Sequence, residues 1–238
     1  CTPNSSLEKN LISSFAFLLS SQGETDLSVL STLLSLPALD ELEEFQEVTD
    51  PLSIYNALMH FKSFLGKGLS TLLRDLLDRS RSKISESWPK GQGERSMTKL
   101  AWSLLLAAGD EDIRKEVLES VNGPSMSLAH AALFSLQPID CEERSLGMKA
   151  FFDRWKDRPM ILDTWFFLEA STPRLDGLSK IRQLLDHPLF DSTAPNAIRA
   201  LLGGLAANIP VFHSLDGSGY MFMADQLMAL DKLNPITA

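Results

Sequence analysis

Four histidines, His60, His130, His187 and His213, are the side chains of this chain best suited to hold a metal or move a proton. A zinc-binding helix presents two ligands on one face through a His-Glu-x-x-His spacing, and none of the four is followed by Glu-x-x-His. His60 and His130 stand among apolar residues at helical spacing, which points to core or interface packing rather than catalysis. His187 precedes Pro188 at the end of an expected helix, where an imidazole can cap free carbonyls and favour the dipole. His213 follows Phe212 just before a turn and is expected to make a structural hydrogen bond to a nearby helix end, since nothing in the sequence orients it for catalysis.

The densest small-residue motif is Asp216-Gly217-Ser218-Gly219-Tyr220. It lacks the Gly-Lys-Ser/Thr of a phosphate loop, the Asp ladder and distal Glu of a calcium loop, and the glycine two residues before the serine of a nucleophile elbow. The plainer expectation is that Asp216 or Ser218 caps the following helix while the glycines permit positive φ. Glu41, Glu43, Glu44 and Glu47 are expected on the wet face of an amphipathic helix. Phe151, Phe152, Trp155, Trp165, Phe166 and Phe167 span two expected helices and could line a pocket, but a core between the pair is the commoner outcome.

The elements that must carry these residues read as helical throughout. Leu69, Leu72, Leu73, Leu76 and Leu77 fall on one helical stripe, and alternating β-branched runs are missing. Breakers divide the chain into helices expected near 7–21, 25–36, 39–47, 51–80, 94–108, 110–122, 125–136, 141–157, 159–170, 174–187, 195–207 and 217–232. Asp50-Pro51, Thr172-Pro173 and Ser192 to Pro195 supply capping side chains or a proline for helix starts. So many short helices joined by tight turns do not fit one simple bundle. The fold class is therefore all-α, an irregular HEAT/armadillo-like superhelix of stacked antiparallel helices without a strict repeat. Residues 84–95, rich in Pro, Gly and polar side chains, are expected to form a mobile loop.

With 238 residues, 44% of them hydrophobic, the chain can bury a sizeable core. A net charge of -9 argues against nucleic acid or an anionic membrane surface as a partner. Cys1 and Cys141 are too few for a disulfide framework, and no apolar run approaches the ~20 residues of a membrane helix. The reading is a soluble, acidic, cytoplasmic protein. The start at Cys1 and the end at Asn-Pro-Ile-Thr-Ala, where Pro235 would open a helix, are expected of a fragment.

Phe152-Asp153-Arg154-Trp155, Leu162-Asp163-Thr164-Trp165-Phe166 and Ala170-Ser171, followed by Pro195 to Gly203, Phe212-His213, Asp216 to Tyr220 and Asp231 to Pro235, occur in a characteristic order. Together they resemble the helical C-terminal region of the aminopeptidase N family. Leu34-Ser35-Leu36-Pro37 and Thr49-Asp50-Pro51 extend the resemblance upstream to about residue 25, so that residues 1–24 are the least well placed. Thr164 stands where the family usually has Lys, Ala197 where it usually has Arg, and the Pro210 to Phe212 stretch is one residue short.

The resemblance implies that residues 1–238 are a non-catalytic C-terminal domain of a zinc-dependent aminopeptidase, which removes N-terminal amino acids from short peptides. Zinc and the water-activating glutamate would lie in a thermolysin-like domain of the same protein, with neither catalytic nor metal residue here. The helical region would enclose the active-site chamber and limit substrate access. The residue after Asn234-Pro235, Ile236, would line the pocket for the substrate's first side chain, where the family usually has a polar residue or methionine. Read from the residues alone, the alternative is a free-standing helical solenoid that binds partner proteins.

Overall fold

The computed structural model describes residues 5–20, 26–81, 90–174 and 176–233, and among them every regular element is a helix. In chain order these are α1 (Ser5–Ser20), α2 (Leu27–Leu33), α3 (Leu39–Glu43), α4 (Pro51–Gly68), α5 (Ser70–Ser80), α6 (Gln92–Ala107) and α7 (Glu111–Asn122). There follow α8 (Met126–Leu136), α9 (Glu142–Trp155), α10 (Pro159–Ser171), α11 (Gly177–Leu185), α12 (Pro195–Ala207), α13 (Ile209–Phe212) and α14 (Ser218–Leu233).

Several starts are fixed by short polar side chains that satisfy the free amides of a first turn. Asp26 accepts from Ser28 N at 2.7 Å, Asp50 from Ser53 N at 3.1 Å, Asp110 from Ile113 N at 3.2 Å and Ser125 from Leu128 N at 3.3 Å. Pro51, Pro159 and Pro195 open α4, α10 and α12, where a missing N–H removes no helical bond.

The helix expected over 51–80 is two helices. Leu69, at φ -114 and ψ 9, ends α4 and starts α5. Its neighbours Gly66 and Gly68 are poor helix formers, and tertiary packing uses them. A Cβ on Gly66 would lie 2.0 Å from Leu104 O on α6, and one on Gly68 would lie 2.3 Å from Ile12 Cδ1 on α1. The expected mobile loop is also corrected at its far end. Gly91, at φ 66, turns the chain into α6 at Gln92, so residues 92–95 are helical, while residues 82–89 lie outside the described residues. α11 starts at Gly177 rather than 174, and α13 is a short helix between two expected ones.

The core runs unbroken through the stack. It takes Leu30 and Leu34 from α2 and its end, Leu65 and Leu69 at the end of α4, Leu73 and Leu76 from α5, and Trp102 and Leu105 from α6. It continues through Val117, Leu133, Phe151, Phe166, Leu201 and Leu205. Neighbouring helices pack in overlapping pairs: α6 on α2, α4, α5 and α8, α7 on α8 and α9, and α10 on α9 and α12. The result is an irregular armadillo-like all-α superhelix. α13 packs back on α4, which brings the late part of the chain beside the early part.

Two charged groups inside the stack are partnered across turns. Arg144, 5% exposed, donates from Nη1 to Ile139 O at 2.7 Å and from Nη2 to Asp140 at 2.6 Å, tying down the α8–α9 connection. Buried Glu169 accepts from Arg174 at 2.8 Å, with Lys180 at 3.6 Å.

Candidate functional site

The turn between α13 and α14 places the Asp216 to Tyr220 motif on the surface. Asp216 Oδ1 accepts from Ser218 N at 3.0 Å, Ser218 Oγ at 2.7 Å and Ser214 Oγ at 2.9 Å. These bonds, Ser218 foremost, hold the Asp216 carboxyl below the usual carboxylate range. Gly217 sits at φ 71, a left-handed conformation that glycine adopts without penalty. Gly219 approaches the preceding turn so closely that a Cβ there would lie 2.3 Å from Phe212 O. His213 Nδ1 is 2.5 Å from Tyr220 Oη, a hydrogen bond into the first turn of α14, and both rings meet Phe212 edge-on. The hydroxyl of Ser218 is spent on Asp216, and the imidazole of His213 is spent on Tyr220. The arrangement knits a helix start and offers no base to a nucleophile.

The other histidines part company. His60 is exposed on α4 rather than packed, because its apolar neighbours Met59 and Phe61 project from adjacent positions about 100° away around the helix. His130 is half-buried, with its ring 6.4 Å from that of Phe134. His187 packs against Phe152, Trp165 and Phe166 at 5.5–5.6 Å between ring centroids. Its Nδ1 accepts from Leu189 N at 3.1 Å, so this hydrogen bond runs opposite to the expected carbonyl cap. Phe151 and Phe166 are core, and Phe152 packs at a tilt against Trp165 with 4.6 Å between ring centroids. Phe167 turns the other way, into a cleft. Ile236, with Asn234 and Pro235, lies outside the described residues.

That cleft was not read from the sequence. It is a cavity of ≈180 Å³ between α4, α8, α10 and α13, lined among others by Tyr55, Lys62, Phe134, Phe167, Asn208 and Pro210. Lys62 is half-buried, and desolvation followed by the charge of Lys99 lowers its pKa from the ordinary lysine value. Lys99 Nζ lies 4.2 Å from the Phe134 ring centroid, and burial lowers its pKa as well. Burial raises the Tyr55 hydroxyl. The sequence signal was a lysine on the half-buried face of α4, which reads equally well as an aliphatic stem crossing apolar surface.

His130 and His187 share a pH consequence. Burial first, then Lys99 for His130 and Lys180 for His187, lowers each below the ordinary value of 6.5. The unfolded chain therefore binds protons that the folded chain resists, and stability falls as pH drops through 6.5 towards the folded values. The urea midpoint is expected to be lower at pH 5.5 than at pH 7.5, and His130→Gln to reduce that drop. Equal midpoints at the two pH values would contradict it.

Among the described residues no three His, Cys, Asp or Glu side chains come together as metal ligands, so the described residues do not fit a zinc ion. No described helix is long and apolar enough to cross a membrane. Residues 2–238 match the family described as "Domain of unknown function (DUF3458_C) ARM repeats". The chain is 30% identical over 222 residues to aminopeptidase N of Escherichia coli, covering 90% of this chain and 25% of that protein. It is 28% identical over 209 residues to aminopeptidase N of Caulobacter vibrioides, covering 87% of this chain and 24% of that protein. The chain thus spans about a quarter of the length of the curated relatives it matches. Its fold matches the crystal structure of Legionella pneumophila aminopeptidase A in complex with aspartic acid, with a TM-score of 0.84 and 28% identity over 95% of this chain and 28% of that one.

Proposed function

Because the chain belongs to the DUF3458_C family of ARM-repeat domains, we propose that it is the non-catalytic C-terminal domain of a zinc-dependent aminopeptidase acting on short peptides. The observation that carries this reading is the likeness to aminopeptidases over nearly the whole chain, in sequence and in fold, together with the small share of those proteins that it spans. A domain of this kind leaves zinc and water activation to another part of the protein. Its own contribution is shape: a curved stack of helices walls the active-site chamber and admits short, unfolded peptides. The Asp216 to Tyr220 turn serves as a rigid joint that sets the direction of α14 towards residues 234–238, and Ile236 lines the first substrate pocket with an apolar side chain. The protein works in the cytoplasm as a soluble enzyme.

The full-length protein is expected to hydrolyse alanine p-nitroanilide, to lose that activity to a zinc chelator and to regain it with zinc. The 238-residue chain alone is expected to do neither. In the full-length protein, Ile236→Met is expected to change the ratio of kcat/KM between alanyl and leucyl reporters. Absence of hydrolysis by the full-length protein, with capture of a partner protein instead, would favour a free-standing scaffold.

A further inference from the structure

Beside the cleft between α4, α8, α10 and α13 the fold leaves two polar atoms of opposite kind without a partner, a lysine ammonium and an amide oxygen. Lys62 makes no ion pair or hydrogen bond among the described residues, and the same holds for Lys99 beyond its contact with Phe134 and for His130 beyond its own ring contact with Phe134. In a chain with 31 acidic residues against 22 Lys and Arg, three basic side chains gathered around Phe134 without a carboxylate are conspicuous. Of the three, Lys99 is exposed and His130 is held towards its neutral form, so Lys62, half-buried in the cleft wall, is the charge that lacks a counter-ion.

The second group is Asn208, 2% exposed and also lining the cavity. Its Nδ2 donates to Ala170 O at 3.0 Å and Thr172 O at 2.9 Å, which fixes which end of the amide is which. Its Oδ1 is left with no partner and is covered by its neighbours, so a ligand reaches it by displacing the side chains over it. A buried unpaired acceptor costs about 1–3 kcal/mol unless something supplies an N–H. The rest of the lining is largely apolar or aromatic, with Tyr55, Phe134 and Phe167 prominent. The ≈180 Å³ of space resembles the ~150 Å³ that accepts a benzene ring.

A ligand that answers these features carries a carboxylate for Lys62, an N–H for Asn208 Oδ1 and one apolar side chain for the space between. We propose that this cleft binds the C-terminal residue of a short peptide, holding its free carboxylate at Lys62, its backbone N–H at Asn208 and its side chain among Tyr55, Phe134 and Phe167. The proposal deepens, and rests on, the reading of this domain as part of a peptidase. It gives the domain a way to favour peptides with a free C-terminal end. Lys99 flanks the site and strengthens its positive potential, and no carboxylate lines the cleft to compete for Lys62.

The test uses the full-length protein and two probes, N-acetyl-Ala-Phe as the free acid and as the amide; the acetyl group blocks attack at the N-terminus. Calorimetry is expected to show the acid binding at least about tenfold tighter than the amide, the scale of one charge-assisted contact. Lys62→Met is expected to remove that preference, while Lys62→Arg, which keeps the charge, retains part of it. Melting temperatures report whether either variant is folded. Equal binding of acid and amide, no binding of either, or a preference that survives Lys62→Met would each overturn the proposal. Hydrolysis of alanine p-nitroanilide by the unaltered protein reports separately on the peptidase reading: activity without an acid preference sinks the cleft alone, and an acid preference without activity sinks the peptidase reading alone.

Discussion

Gly66→Ala is expected to destabilise the fold by at least about 2 kcal/mol, lowering the melting temperature by roughly 4–8 °C for a domain of this size. The methyl group would stand 2.0 Å from Leu104 O and 2.7 Å from Leu104 C, whereas real Cβ atoms essentially never approach within 3.0 Å. The obstacle is helix backbone and cannot swing aside, so α4 and α6 must part by about 1 Å. Leu65, Leu69, Trp102 and Leu105, each at most 1% exposed, would then lose close contact together. The better helix propensity of alanine returns only about 1 kcal/mol. Gly203→Ala is the control, since that glycine is exposed within α12 and a Cβ on it would meet nothing within 4 Å. That substitution is expected to raise the melting temperature. Parallel thermal melts of the two variants check the pair, and equal shifts would show that close approach is not what Gly66 provides.

The same glycine explains why part of the fold was legible in the sequence and part was not. A period of 3.6 in the leucines announces a helix, and Leu69, Leu73, Leu76 and Leu77 are indeed buried. The break at Leu69 leaves no mark in that stripe, because its cause is the meeting of Gly66 with α6 and of Gly68 with α1. The start of α6 was hidden likewise. Gly-Gln-Gly reads as loop, yet Gly93 is buried where a Cβ would lie 2.7 Å from Leu27 Cβ, and the space α2 demands recruits the glycine into a helix. The Asp216 turn was readable because its bonds join residues two to four apart. The cleft was not, since Lys62 and Asn208 become neighbours only when α13 folds back on α4. His60, expected in the core or at an interface, stays out of the core for a simpler reason: adjacency in sequence is not adjacency on a helix face.

Asn208→Leu is expected to cost about 3 kcal/mol, nearly all of it from two carbonyl groups rather than from the side chain removed. Ala170 lies in the last turn of α10, where no further helical amide is available to its C=O, and Thr172 follows just past the helix end. Ala170 is 0% exposed and Thr172 1%, so water is a poor substitute for the amide that now serves both oxygens. Leucine keeps the branching of asparagine at Cγ, with bulkier methyl groups in place of the polar atoms, and donates no hydrogen. Asn208→Asp should cost at least as much, because a carboxylate oxygen would face both carbonyls. Asn208→Gln keeps the donor on a longer stem and should fall between leucine and the unaltered chain. Urea unfolding orders the four proteins. A leucine variant within about 0.5 kcal/mol of the original would mean that the carbonyls find other partners, so the end of α12 would not be needed to cap α10. If instead the order holds, one side chain does two things at once: its nitrogen ends α10, and this anchorage holds its unpaired oxygen in the wall of the cleft.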